Sequence, residues 1–509
     1  MSNQSTAIFG DFQTPAALAS EVAALATSAN GGYAAVVEPT CGTGSFLVAA
    51  IQQLGTSASF HGYDINPDHV RDCLAKTRSA GVDAHVECLD FYDLDWKAIF
   101  NSLPEGLLVI GNPPWVTNAA LESMGGANLP VKSNFQGHSG FAAKTGKANF
   151  DISEWMLIRL LEGMQRKTAT LAMLCKTATA RKVLLHAWRS GLELDCSSIH
   201  LIDAARYFGV SVDACLFLTH TGKSDAAERA TIYEGLNFAT PVQTFGIVNG
   251  EMVSDVTAYQ DLADLDGIEY RRWRSGVKHD AARVMELKPA SNGYLNDLNE
   301  HVELESDYVF PLLKSSDLAN GRLTPQRSVL VTQTQVSDDT ELIRSTAPKT
   351  WKYLMEHADV LDSRGSSIYE KRARFAVFGV GPYTFSPWKV AISALHKNLK
   401  FQIVGHIAGK PVLVDDTCYF FPCESEEEAE FFASMLNSDV ALRFFHSLVF
   451  FDSKRAVTID ALKRIDLKKL SERFGLQDRA AAYLSRAPYE AGAQQLLVFE
   501  KRAKYHTKG

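Results

Sequence analysis

The sequence predicts an α/β fold, a parallel sheet covered by helices on both faces, followed by a second domain of mixed α and β character. Two observations carry that prediction. Short β-type runs alternate with helix-forming stretches through the first half of the chain, which is the signature of βαβ units. Near residue 240 the alternation gives way to irregular segments rich in Arg, Lys and aromatic residues. A length of 509 residues also exceeds what a single hydrophobic core covers. The expected divisions are residues 1–240, residues 241–470, and a helical tail over 471–509 that breaks at Pro488.

In chain order, "PAALASEVAALATSA" reads as a helix and "YAAVVEP" as the first strand. "SFHGYDI", the helix-like "HVRDCLAKTRSA", "DAHVECLD", "GLLVIGN" and "TATLAMLC" follow. A hydrophobic fraction of 46% with 22% charged residues suits large buried cores rather than disorder. No stretch approaches a membrane span, and the N-terminus lacks a basic start and an apolar core region, so a cytoplasmic location is expected. The eight cysteines form no CxxC pair and read as reduced thiols, and no metal site is expected. A net charge of −8 argues against a surface that tracks nucleic acid everywhere, although a local basic cleft suffices for binding.

The first chemical signal is "VVEPTCGTGSF", where a strand ends at Glu38 and Pro39 and a helix opens after Gly42 and Gly44. Small residues at that turn let backbone approach a ligand at the carboxyl edge of a parallel sheet. Roughly 20 residues past Gly42, Asp64 closes the next strand, where a carboxylate can accept both hydroxyls of a ribose. Asp90 and Phe91 end the third run, placed to bind an exocyclic adenine amine and to pack on the base. Taken singly, each is an ordinary β-to-α turn residue. Three in register favour a nucleoside site. A dinucleotide fits poorly, since Leu47 stands where the third glycine belongs and Glu38 repels a pyrophosphate. "GFAAKTGKA" misses a P-loop by one residue of spacing and puts Ala148 at the magnesium position. An adenosine with an amino group and no phosphates describes S-adenosylmethionine, whose ammonium suits Glu38.

"GNPPW" ends the fourth run on the same sheet edge. The amine of a nucleobase, or a carboxamide nitrogen, is a poor nucleophile because its lone pair is delocalised. Two acceptors aimed at its N–H bonds favour tetrahedral nitrogen and free the lone pair for in-line attack on a methyl group. Asn112 Oδ1 and the Pro113 carbonyl supply them, while Pro113 and Pro114 fix φ and offer no competing donors. Trp115 then stacks on a planar substrate.

"FQTP", "EPTCGTGSF", "GYDIN", "CLDFYD" and "GNPPW", in that order, resemble the N6-adenine DNA methyltransferases of restriction-modification type with the gamma motif arrangement, over roughly residues 9–222. The resemblance implies a Rossmann-like S-adenosylmethionine-dependent methyltransferase domain followed by a target-recognition domain. It implies that Thr14 and Pro15 contact the methionine part of the cofactor. It carries the packing on an extrahelical adenine to Phe208, in "RYFGVSVDACLFLTHTG". Trp115 departs from the family's usual Tyr or Phe and still stacks. "GKANFDISEWMLIRLLE" matches the motif after the catalytic turn, with Asp151 and Glu154 spaced as a capping box.

The stretch between Trp115 and Phe150 reads as a lid, with Lys132, Lys144 and Lys147 near phosphates. "RRWRSGVK" and "YEKRARF" interleave cations with aromatics as DNA-contacting surfaces do, which selects Arg271, Arg272, Arg274, Lys278, Lys371, Arg372 and Arg374. Two other readings stand beside this one. Enzymes that methylate a release-factor glutamine or a ribosomal guanine use a similar turn, but tend to be shorter and to carry recognition parts ahead of the fold. A noncatalytic DNA-binding subunit would have no need of an intact Asn112. No nuclease motif stands out, so a cleaving endonuclease would be a separate chain. With no internal repeat, the chain is expected to approach double-stranded DNA as a monomer.

Overall fold

The alternating runs of the first half build one ten-stranded sheet. In the computed structural model, residues 13–28, 32–116, 151–222, 228–370, 372–453 and 455–485 are described. The expected runs become β1 (Ala35–Glu38), β2 (Ser59–Asp64), β3 (His85–Cys88), β4 (Leu107–Gly111) and β5 (Ala169–Lys176). β6 (Leu194–Ile202), β7 (Ala214–Thr221), β8 (Arg229–Tyr233), β9 (Gln243–Val248) and β10 (Glu251–Val253) complete the sheet. The strand order is β10-β9-β8-β6-β7-β5-β4-β1-β2-β3. β3, β2, β1, β4 and β5 are parallel neighbours, as the βαβ pattern requires. β7 runs antiparallel between β5 and β6, so the sheet is mixed rather than wholly parallel. The sequence around β7 holds no helical crossover before it longer than α7 (Ala204–Phe208), and a short connection returns a strand in the opposite sense.

Helices cover both faces. α1 (Ala16–Ser28), α2 (Ser45–Leu54), α3 (Pro67–Ser79), α4 (Trp96–Ser102), α5 (Ile152–Met164) and α6 (Thr177–Arg189) precede α7. β1 and β4 are buried along their whole length, which explains why they read as unbroken apolar runs. Leu18 and Val22 of α1 and Phe46 and Leu47 of α2 pack on Val36, Leu108 and Leu174 in one core. α3 starts sharply because Asn66 accepts from the Asp68 N–H at 3.0 Å and Pro67 takes the first turn. β1 leads outward to β2 and β4 leads the other way to β5. Their carboxyl ends therefore flank the point where the strand order reverses, the crevice in which open α/β sheets bind ligands.

The chain divides into two units, residues 1–256 and 257–509. The second contains a four-stranded sheet, β11 (Arg274–Ser275), β20 (Cys418–Cys423), β17 (Trp388–Ser393) and β18 (Gln402–Val404) in that order. It also contains a six-stranded sheet in the order β14 (His301–Val302), β13 (Gly293–Asn296), β12 (Glu286–Ala290), β16 (Arg327–Leu330), β15 (Val309–Leu313) and β19 (Leu413–Val414). Short helices at Leu467–Arg473 and Gln477–Leu484 follow, and the Tyr483 ring lies 5.3 Å from that of Phe431. Pro488 lies outside the described residues. No helix among the described residues is long and apolar enough to cross a membrane.

Lys389 on β17 is 1% exposed. Its ammonium donates to the Ser386 carbonyl at 2.8 Å and sits 5.8 Å from the Phe420 ring centre. Burial pulls its pKa down from the ordinary 10.5 to about 7. Between those two values the unfolded chain holds a proton that the folded chain has released. Stability therefore rises with pH across that window, by up to roughly 4 kcal/mol. Lys389→Met is expected to be more stable than the parent chain at pH 7, with the advantage shrinking as pH approaches about 9.5. Urea midpoints across that range check it; a pH-independent difference would contradict it.

Candidate active site

At the end of β1, Glu38 is 2% exposed and its Oε2 accepts from the Leu47 N–H at 3.1 Å, in the first turn of α2. Burial pushes its pKa well above the ordinary carboxylate value, Cys73 and Asp64 add to the rise, and the Leu47 bond opposes it. A carboxylate in that position gains from a cation. The Thr40 hydroxyl, two residues on, is buried with no hydrogen-bond partner among the described residues.

The turn that follows depends on its glycines. Gly44 has φ +84°, and a Cβ there would lie 2.6 Å from Cys73 Sγ on α3. Asp64, at the end of β2, ties this turn to the next. Its Oδ2 accepts from Gly42 N–H and its Oδ1 from Asn66 N–H, each at 2.8 Å. His69 Nδ1 also lies 3.3 Å from Oδ1, and a carboxylate offers about four lone-pair directions, so one direction on Oδ2 is left to accept a ribose hydroxyl. Gln13, which the sequence reading passed over, accepts from Thr43 N–H at 3.3 Å and faces the Thr43 hydroxyl at 3.2 Å. That contact draws the segment containing Thr14 and Pro15 against the glycine turn.

At the end of β3, Asp90 Oδ1 accepts from the Tyr92 N–H at 3.0 Å, and Phe91 is buried with its ring 4.7 Å from that of Trp96. Trp155 of α5 adds a ring that sequence reasoning missed. It lies 6.1 Å from Phe91 and 5.2 Å from Tyr92, and its indole N–H is buried with no partner among the described residues. Ile65 is 58% exposed beside Asp64, and Leu89 is 38% exposed beside Asp90. Apolar side chains left open between two acids suit the faces of a purine.

Asn112 follows β4, and its Nδ2 donates to Thr14 Oγ1 at 3.3 Å. Thr14, expected to face the cofactor, and the Asn-Pro-Pro-Trp turn are thereby joined, with the Asn112 Oδ1 on the other edge of the amide. After Pro113 and Pro114, Trp115 is 8% exposed and its indole N–H donates to the Leu174 carbonyl at 3.4 Å. Phe208, the last residue of α7, meets Trp115 edge to face, with ring centres 5.3 Å apart at 71°. The two aromatic residues predicted to hold the target base are in contact. Lys176 Nζ, at the end of β5, donates to the Trp115 carbonyl at 2.9 Å and pairs with Asp151 Oδ2 at 2.6 Å. Asp151 caps α5 through the Ser153 N–H, and Glu154 pairs with Lys182.

The basic residues divide. Lys132, Lys144, Lys147 and Lys371 lie outside the described residues. Arg271 is corrected by the structure: it is 6% exposed, pairs with the fully buried Glu428, and donates to the Tyr483 carbonyl at 2.6 Å. It is a core ion pair, not a phosphate contact. Arg374 is held by Asp362 and Lys278 by Asp280 at 3.0 Å, pairs that a phosphate would have to compete with. The Arg274 guanidinium lies 4.4 Å over the Tyr383 ring, Arg272 is half-buried and Arg372 is exposed.

A sheet ordered 3-2-1-4-5 with an antiparallel seventh strand, acids and glycines at three successive strand ends, and Asn-Pro-Pro-Trp at the fourth define an S-adenosylmethionine-dependent methyltransferase. Glu38, Thr40, Asp64 and the open Ile65 and Leu89 fit that cofactor. No family model matches the chain. The Type II methyltransferase M.NspV of Nostoc sp. (strain ATCC 29411 / PCC 7524) is 41% identical over 467 residues, 91% of this chain and 97% of that one. The chain therefore belongs to the Type II DNA methyltransferases of restriction-modification systems. In fold it is similar to the Type IIL restriction-modification enzyme MmeI, solved in complex with DNA, with a TM-score of 0.52 at 12% identity. That likeness covers 84% of this chain and 61% of MmeI.

Proposed function

We propose that the chain transfers a methyl group to the N6 amine of an adenine turned out of double-stranded DNA. The observation that carries the reading is the catalytic turn: Asn112 at the reversal point of the sheet, with its amide nitrogen bonded to Thr14, and the Trp115–Phe208 ring pair beside it. S-adenosylmethionine supplies an electrophilic methyl group when bound. Asn112 Oδ1 and the Pro113 carbonyl accept the two N–H bonds of the adenine amine and free its lone pair. No strong base is needed beforehand, because the methylated nitrogen is cationic and sheds its proton easily. Trp115 and Phe208 hold the extrahelical ring, which offsets part of the few kcal/mol lost on unstacking. The second unit, 257–509, is the target-recognition domain in this reading, with Arg272, Arg274 and Arg372 as its phosphate-facing cations. In this reading the chain acts as a monomer in the cytoplasm, and any endonuclease that cuts the same site would be a separate protein.

The turn carries Asn rather than the Ser common in cytosine-N4 methyltransferases, so the resemblance to the N6-adenine enzymes favours adenine. The purified chain, incubated with methyl-labelled cofactor and unmethylated genomic DNA, should place its label in N6-methyldeoxyadenosine after digestion to nucleosides. Label in N4-methyldeoxycytidine would overturn the base assignment, and label taken up by RNA but not by DNA would overturn the substrate.

A further inference from the structure

The catalytic turn must hold two acceptors in place while a poor nucleophile reacts, and small displacements of such groups cost orders of magnitude in rate. Its near end is fixed twice, by β4 and by the bond from Asn112 to Thr14. Pro113 and Pro114 restrict φ along it, but ψ at Pro114 and both torsions at Trp115 still have to be set from outside. The structure sets them through β5. The Trp115 ring is bonded to Leu174, and the Trp115 carbonyl accepts from Lys176 two residues further on. Immediately beyond, Ile152 N–H donates to the Val116 carbonyl at 2.9 Å.

We infer that Lys176 and Asp151 form a clamp that positions the catalytic turn: Lys176 pins the Trp115 carbonyl, and Asp151 aims and neutralises Lys176. The inference rests on the reading of Asn112 and Pro113 as the catalytic acceptors. Lys176 is the only cation within hydrogen-bond distance of that carbonyl among the described contacts, and its three N–H donors suit two acceptors of different kind. Asp151 is 8% exposed and is held by its own cap on α5, at 3.1 Å from the Ser153 N–H and 2.5 Å from the Ser153 hydroxyl. It is therefore a fixed acceptor and not a swinging one. Neutralisation matters chemically as well. A methyl group arriving from a sulfonium makes the amine cationic, and a lone ammonium at the turn would oppose that charge, whereas an ion pair does not. Lys176 and Asp151 are positioning residues, since neither is placed against the reacting atoms.

The test uses the full chain, unmethylated genomic DNA and labelled cofactor, with Asn112→Ala as reference. Lys176→Met keeps the aliphatic stem and removes the donor. It is expected to lower kcat at least 20-fold, with cofactor affinity within twofold and the melting temperature within a few degrees. Lys176→Arg, which can still reach two acceptors, should recover most of kcat. Lys176→Met combined with Asp151→Asn should be no slower than Lys176→Met alone, because Asp151 acts through Lys176. Full kcat in Lys176→Met beside an inactive Asn112→Ala would overturn the clamp and leave the catalytic turn standing. Parallel loss of cofactor binding and melting temperature in Lys176→Met would also overturn it, as a merely structural contact. Activity retained by Asn112→Ala would instead overturn the reading on which the clamp rests.

Discussion

Asn112→Ala is expected to lose methyl transfer by ~100- to 1000-fold or more, the cost of removing one preorganised group that stabilises a transition state. Cofactor affinity should change by no more than about twofold. The asymmetry follows from where the residue sits. Glu38, Asp64 and Asp90 stand at the ends of β1, β2 and β3, while Asn112 follows β4 and meets the expected cofactor side through its bond to the Thr14 hydroxyl. Steady-state turnover beside calorimetric cofactor binding separates the two quantities. A matching loss in both would move Asn112 into the cofactor site.

Glu428→Ala is expected to destabilise the second unit by ~3–5 kcal/mol, because it strands a buried guanidinium. Arg271 and Glu428 are 6% and 0% exposed, the Glu424 N–H also donates to Glu428 at 2.7 Å, and the guanidinium lies 5.3 Å over the Phe432 ring. Arg271→Ala should cost a similar amount, since it leaves a buried carboxylate without its counter-charge. Urea unfolding followed by tryptophan fluorescence reports both, with Trp273 packed 4.9 Å from Phe421 as a local probe. Should Arg271→Ala leave stability unchanged and reduce only the salt sensitivity of DNA binding, the phosphate role would return.

That contrast shows what could be read in advance. The strand-end motifs were legible because backbone chemistry constrains them: Gly44 must take a positive φ against Cys73, and an unbroken apolar run such as β4 must be covered on both faces. The choice of Trp115 and Phe208 came through family likeness; the two rings meet, and their hold on a target base belongs to the proposed function. Arg271 was misread because a charge run does not announce its register. Arg271 and Trp273 are buried while Arg272 and Arg274 are half-buried, the alternation of a chain entering β11. The burial expected of Trp273 would have placed Arg271 on the same inward face. Gln13, Trp155 and the Lys176–Asp151 pair were not legible, since each acts through a partner 25 or more residues away or through a ring contact between separate elements. Nothing local distinguishes Lys176 from any lysine that ends a strand.

The most direct measurement maps modified bases across the genome of a methylation-free host that expresses the chain, by single-molecule sequencing, beside the Asn112→Ala variant. Near-complete N6-methyladenine is expected at one position of a short motif, asymmetric if a monomer reads one strand per visit, and none is expected with the variant. Unmodified DNA from a folded, cofactor-binding protein, or modification confined to cytosine, would contradict it.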